Sequence, residues 1–93
     1  MNWTKRRASL KRKGKTKTDK AYLKALGQNV QHLMKSKGFD TPYDFWIKRA
    51  GDEISRASLN YIVTGESDPK MTTIRALAKL LGVKPKDILD FEF

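Results

Sequence analysis

The 93-residue chain contains no cysteine and a single histidine, His32. Without thiols there is no disulfide, no thiolate metal site and no thiol nucleophile, a composition that fits a reducing compartment. One imidazole without cysteine leaves a transition-metal centre short of ligands, and His32 is read as a surface or edge residue. Long apolar runs are also missing. None approaches the roughly 18 residues of a membrane span, and no signal-peptide pattern opens the sequence. A cytoplasmic location without a membrane partner is expected. Acidic residues are scarce at one end. Residues 1–20 hold nine basic side chains and one acid, Asp19, whereas residues 21–93 hold eleven basic and nine acidic ones. The first twenty residues thus carry +8 of the formal charge of +10. Polyanions are the natural partners of such a chain, with nucleic acid ahead of an anionic surface.

Residues 1–18 read as a disordered basic arm. Trp3, Ala8 and Leu10 are its sizeable apolar groups beyond Met1, too few to offset the entropy of ordering. In the functional reading, Lys5, Arg6, Arg7, Lys11, Arg12, Lys13, Lys15 and Lys17 neutralise phosphates or enter a minor groove. In the bland reading they form a solubilising tail. Residues 19–93 suffice for one domain.

That domain reads as all-α. Leu23, Leu26, Val30, Leu33 and Met34 fall on one helical stripe between Asp19 and about Lys37, with Thr18 or Asp19 as the cap and Gly38 as the stop. Thr41-Pro42-Tyr43-Asp44 is a helix start: Thr41 caps, Pro42 takes the first position, and Asp44 can return the bond. This second helix runs to about Ala50. Tyr43, Trp46, Ile47 and Ala50 share a face with Phe45 beside it, so broad burial is expected. Gly51-Asp52-Glu53 makes a turn. Its paired acids have no identifiable convergent partner, so no catalytic site or cofactor is expected.

Next comes Ile54-Ser55-Arg56-Ala57-Ser58-Leu59-Asn60-Tyr61-Ile62-Val63-Thr64-Gly65. Ser55 is a good N-cap and Gly65 a good left-handed C-terminal residue. Leu59, Ile62 and Val63 form an apolar stripe, with Ile54 just ahead. Arg56, Ala57, Ser58, Asn60, Tyr61 and Thr64 cover the remaining surface without one acid. So short a helix must lie on a core. Its other face suits a DNA major groove. A fourth helix spans about Met71 to Leu81, with Met71, Ile74, Leu77, Ala78 and Leu81 as its buried stripe. Pro85 opens a short fifth. Ile88, Leu89, Phe91 and Phe93 leave an apolar end with two open readings, a dimer surface or a completion of the core.

Taken in order, several stretches resemble the helix-turn-helix domain of phage repressor and Cro proteins, the lambda-repressor-like or XRE family. They are Val30-Gln31-His32-Leu33-Met34-Lys35-Ser36-Lys37-Gly38, Ala50-Gly51, Ile54 through Gly65, Pro69, Ile74 through Val83, Pro85 and Ile88-Leu89. The resemblance covers about Leu23 to Phe91. It implies a compact five-helix bundle in which the second and third helices form the helix-turn-helix. It further implies base contacts from Arg56, Ala57, Ser58, Asn60 and Tyr61. Backbone contacts are implied around Thr64 and the loop to Lys70, and at the start of helix two. Two features depart from the pattern. Many members carry Gln early in helix two, bracing the recognition helix and gripping a phosphate, whereas here that place falls on Pro42 or Tyr43. Asp52-Glu53 also lengthens the turn by two or three residues, which is expected to swing the recognition helix and bring two carboxylates near the DNA side.

The chemistry of the exposed face is consistent with that role. Arg56 can pair bidentately with guanine O6 and N7, and Asn60 with adenine N6 and N7. Ala57 and Ser58 allow close approach, and Tyr61 can reach the sugar-phosphate. Thr41, Tyr43, Ser55, Thr64, Lys70, Thr72, Thr73 and Arg75 are candidates for the DNA backbone. One short helix covers few base pairs, so a homodimer with half-sites about 34 Å apart is expected. The expected function is a non-enzymatic, sequence-specific regulator on double-stranded DNA, of the phage or prophage repressor type. The alternative is an antitoxin-like or adaptor protein of the same fold that binds a partner protein or RNA.

Overall fold

The computed structural model describes residues 17–93. The arm positions from Lys5 to Lys15 lie outside the described residues; Lys17 lies inside them. Five helices follow one another: α1 (Lys17–Ser36), α2 (Pro42–Phe45) running directly into a π-helical turn (Trp46–Ala50), α3 (Arg56–Thr64), α4 (Met71–Leu81) and α5 (Pro85–Leu89). No strand occurs among the described residues. Thr18 and Asp19 lie within α1 instead of capping it.

The local chemistry explains the boundaries. Thr41 Oγ1 accepts from the Asp44 N–H at 3.1 Å, with Pro42 at the first helical position. The Asp44 carboxylate does not return the bond; it pairs with Lys48 Nζ at 3.0 Å. At α3, Ser55 Oγ accepts from the Ser58 N–H at 3.1 Å, and Gly65 closes the helix at φ 80°. Asp87 Oδ2 accepts from the Lys84 N–H at 2.9 Å and starts α5.

Leu23, Leu26, Val30 and Met34 of α1 meet Phe45 and Ala50, then Leu59, Ile62 and Val63 of α3, then Ile74, Leu77, Ala78 and Leu81 of α4, with Ile88 of α5. No polar or charged side chain is buried among the described residues. Two expected stripes need correction. Met71 is 64% exposed, because it opens α4 one turn before the stripe reaches the core. In the second helix, Tyr43 and Ile47 are 50% and 56% exposed, while Phe45 and Ala50 are fully buried. The π-helical turn is the reason. At 3.6 residues per turn, positions five apart diverge by about 140°, but a wider i→i+5 turn brings them back towards one side. Phe45 and Ala50 therefore share the core.

The tightest packing joins α1 to α3. Gly27 lies in the middle of α1, where glycine is intrinsically unfavourable. A Cβ added there would run into the carbonyl oxygens of Val63 and Ile62, the latter at 2.6 Å. Gly65 approaches from the other side: its Cβ would fall 2.7 Å from the Lys24 Cα. Gln31 Nε2 donates to the Val63 carbonyl at 3.1 Å, and Asn29 Nδ2 donates to the carbonyls of Asp87 and Ile88 at 3.1 and 2.8 Å. Gln31 and Asn29, on opposite flanks of the buried stripe of α1, thus fix the end of α3 and the end of α5 to one helix. Replacing Gly27 by Ala raises helix propensity by about 1 kcal/mol, yet the crowding should dominate. Chemical denaturation of Gly27→Ala is expected to show a net loss of about 1–3 kcal/mol; unchanged or increased stability would refute the close contact.

Candidate nucleic-acid interface

Packing Leu59, Ile62 and Val63 inward turns the rest of α3 outward. Ser55, Arg56, Ala57, Ser58, Asn60, Tyr61 and Thr64 are all exposed. The expected outward face is present, and its first turn contains no acid. Two shallow grooves flank it. One is lined by Thr41, Pro42, Tyr43, Arg56, Ala57, Leu59 and Asn60, between α3 and the start of α2. The other is lined by Ser58, Tyr61, Ile62, Ser67, Pro69 and Thr73, between α3 and the start of α4. The structure therefore gathers most of the candidate contact residues around one helix.

Other candidates lie elsewhere. Thr72 and Arg75 share a separate concavity with Glu53, Lys79, Val83 and Pro85. Glu53 thus lines the α4 side and is absent from the lining of the Arg56 groove. The turn is closed by the Ala50 carbonyl, which accepts from the N–H groups of Glu53 and Ile54 at 3.1 and 3.0 Å. Thr64 Oγ1 donates back to the Asn60 carbonyl at 3.0 Å, so its hydroxyl must leave that bond to donate to a phosphate. At α4, Lys70 takes the N-cap position without a side-chain cap bond, leaving the helix N–H groups of the first turn open.

Arg56 has a defined neighbourhood. Its guanidinium lies over the Tyr43 ring, 4.5 Å from the centroid. Tyr43 in turn stacks on Trp46, with centroids 6.1 Å apart and planes 23° from parallel. Trp46 is half-buried against the core, and its indole Nε1–H donates to the Ile54 carbonyl at 2.8 Å, one residue before the Ser55 cap. Sequence reading assigned Trp46 to the core and missed this bond. The signal available was an indole N–H on a helix that had to meet a turn, where a buried indole finds an acceptor.

The C-terminal end resolves into two parts. Ile88 is fully buried, so for this residue the core reading holds and the dimer-surface candidate is corrected. Phe91 packs partly on the core and touches Tyr22 at 5.1 Å; Phe93, 66% exposed, meets the same ring edge-on at 5.1 Å. Leu89 is exposed beside them. His32 is exposed, as expected. Among the described residues no group of three or more His, Cys, Asp or Glu side chains could hold a metal ion, and no helix is long and apolar enough to cross a membrane.

A five-helix bundle presenting a short, acid-free polar helix after a turn has the arrangement of a helix-turn-helix domain. Residues 29–93 match the Cro/C1-type HTH DNA-binding domain family, and the chain belongs to that family. No curated protein and no solved structure gives a match. The family places the chain among DNA-binding regulators.

Trp46→Phe keeps an aromatic ring and removes the Nε1–H. It should lower stability by about 1 kcal/mol in denaturant titrations. No loss would show that the indole bond does not hold the turn.

Proposed function

We propose that the protein is a sequence-specific, non-enzymatic transcriptional regulator of the phage or prophage repressor type, working in the cytoplasm as a homodimer on double-stranded DNA. The observation that carries this reading is the outward, acid-free face of α3, with Arg56 and Asn60 on the rim of one open groove. Arg56 supplies the bidentate donors that match guanine, and Asn60 the donor–acceptor pair that matches adenine. Ala57 and Ser58 keep the helix close to the bases, and Tyr61 reaches the sugar-phosphate. The start of α4 supplies free N–H groups and the positive end of a helix dipole, with Lys70 and Thr73 beside them. Thr41 retains its hydroxyl proton for a phosphate, since its oxygen serves as acceptor in the cap. The arm from Lys5 to Lys17 adds sequence-independent attraction to phosphates. Tyr22, Leu89, Phe91 and Phe93 supply the apolar surface for a second copy.

Selection of duplexes from a random pool tests the reading. Arg56→Ala should relax the preferred base at one position, with a loss of about 1–3 kcal/mol of discrimination there. Equal weakening on every sequence would mean that Arg56 does not read bases.

Removing residues 1–16 should weaken binding to all duplexes and flatten the dependence of affinity on salt. An unchanged salt slope would exclude the arm from phosphate contact.

Sedimentation should show a dimer that Leu89→Glu or Phe93→Glu converts to monomer. A monomer in the unaltered protein, or dimers in both variants, would remove this surface from the assembly.

A further inference from the structure

The stack Trp46–Tyr43–Arg56 runs from the half-buried edge of the core to the rim of the α3 groove. Arg56 is the first residue of α3, where a cation meets the positive end of the helix dipole and is disfavoured. A long flexible cation in that position also gives up rotamer freedom when it is held in one geometry. Two contacts counter these terms. The Tyr43 face attracts the guanidinium at 4.5 Å. Tyr43 is in turn backed by Trp46, which is anchored through its indole N–H to the Ile54 carbonyl. The ring attracts the cation without supplying a lone-pair acceptor, so the guanidinium N–H groups are left for a guanine edge to accept from.

From this geometry we propose that Tyr43 is a specificity-determining positioning residue. Its ring, seated on Trp46, holds the Arg56 guanidinium ready for guanine, so that the base preference at that position depends on an aromatic face in α2. The proposal rests on the DNA-reading role of Arg56. It assigns Tyr43 an action through Arg56, distinct from a direct hydroxyl contact to phosphate.

Tyr43 is half exposed, so its replacement leaves the core intact. Duplex selection and affinity measurements should be run on Tyr43→Phe, Tyr43→Leu, Tyr43→Ala and Arg56→Ala, each with a melting curve. Tyr43→Phe keeps the ring and should retain the guanine preference. Tyr43→Leu keeps apolar bulk without a π face and, like Tyr43→Ala, should lose about two- to fivefold of that preference. In the Arg56→Ala background, the same Tyr43 changes should have no further effect on preference. Loss of preference in Tyr43→Phe equal to that in Tyr43→Ala would overturn the proposal in favour of the hydroxyl. So would uniform weakening on all sequences, or a sharper guanine preference in Tyr43→Ala. If Arg56→Ala itself changes no base preference, the DNA-reading role of Arg56 fails and the proposal fails with it. If only the Tyr43 variants are silent, the proposal alone fails.

Discussion

Everything on the outer surface depends on how closely α1 approaches α3. A nine-residue helix has too few internal hydrogen bonds to persist in water, so α3 exists as a helix because a core holds it. Gly27 and Gly65 remove the Cβ atoms that would separate the two backbones. That approach buries Leu59, Ile62 and Val63, and Gln31 satisfies the Val63 carbonyl at the crossing. Once these residues are inside, the remaining side chains of α3 have nowhere to go but outward. The orientation of the polar face is thus a consequence of backbone contact on the opposite side.

The second constraint is the turn between α2 and α3. The end of the second helix is a π-helical turn, which keeps Phe45 and Ala50 in register with the core. Glu53 and Ile54 are drawn back onto the Ala50 carbonyl. Trp46 then ties the far side of the turn through Ile54. Three local devices, each modest, give the start of α3 a fixed position.

Much of this was legible in the residues. The caps at Thr41 and Ser55, the stop at Gly65, and the stripes in α1, α3 and α4 use local rules that hold wherever a helix meets a core. The Cro/C1-type family could be read from their order. The exceptions lie beyond what an ideal helical period can show. Periodicity assumes 3.6 residues per turn, so it could not foresee a wider turn that leaves Tyr43 and Ile47 outside while Phe45 and Ala50 go in. Gly27 carries no helical signal of its own, since only the partner backbone explains it. Ile88 belongs to the core and Phe91 packs only partly on it, but the pattern alone could not separate a tail that folds back from one that awaits a partner. The Arg56–Tyr43 contact joins residues thirteen positions apart across the turn, beyond any local rule.

The division of labour along α3 has a consequence for how such a domain diversifies. Leu59, Ile62 and Val63 hold the fold and face away from the residues proposed to meet a duplex, and no buried polar group links the two sets. Exchanges at Ala57, Asn60 and Tyr61 are therefore nearly free of structural penalty, and the lettering of this face can drift while its scaffold stays still. Arg56 is the exception. Because it leans on Tyr43, an altered first letter is best accommodated when both positions change as a pair.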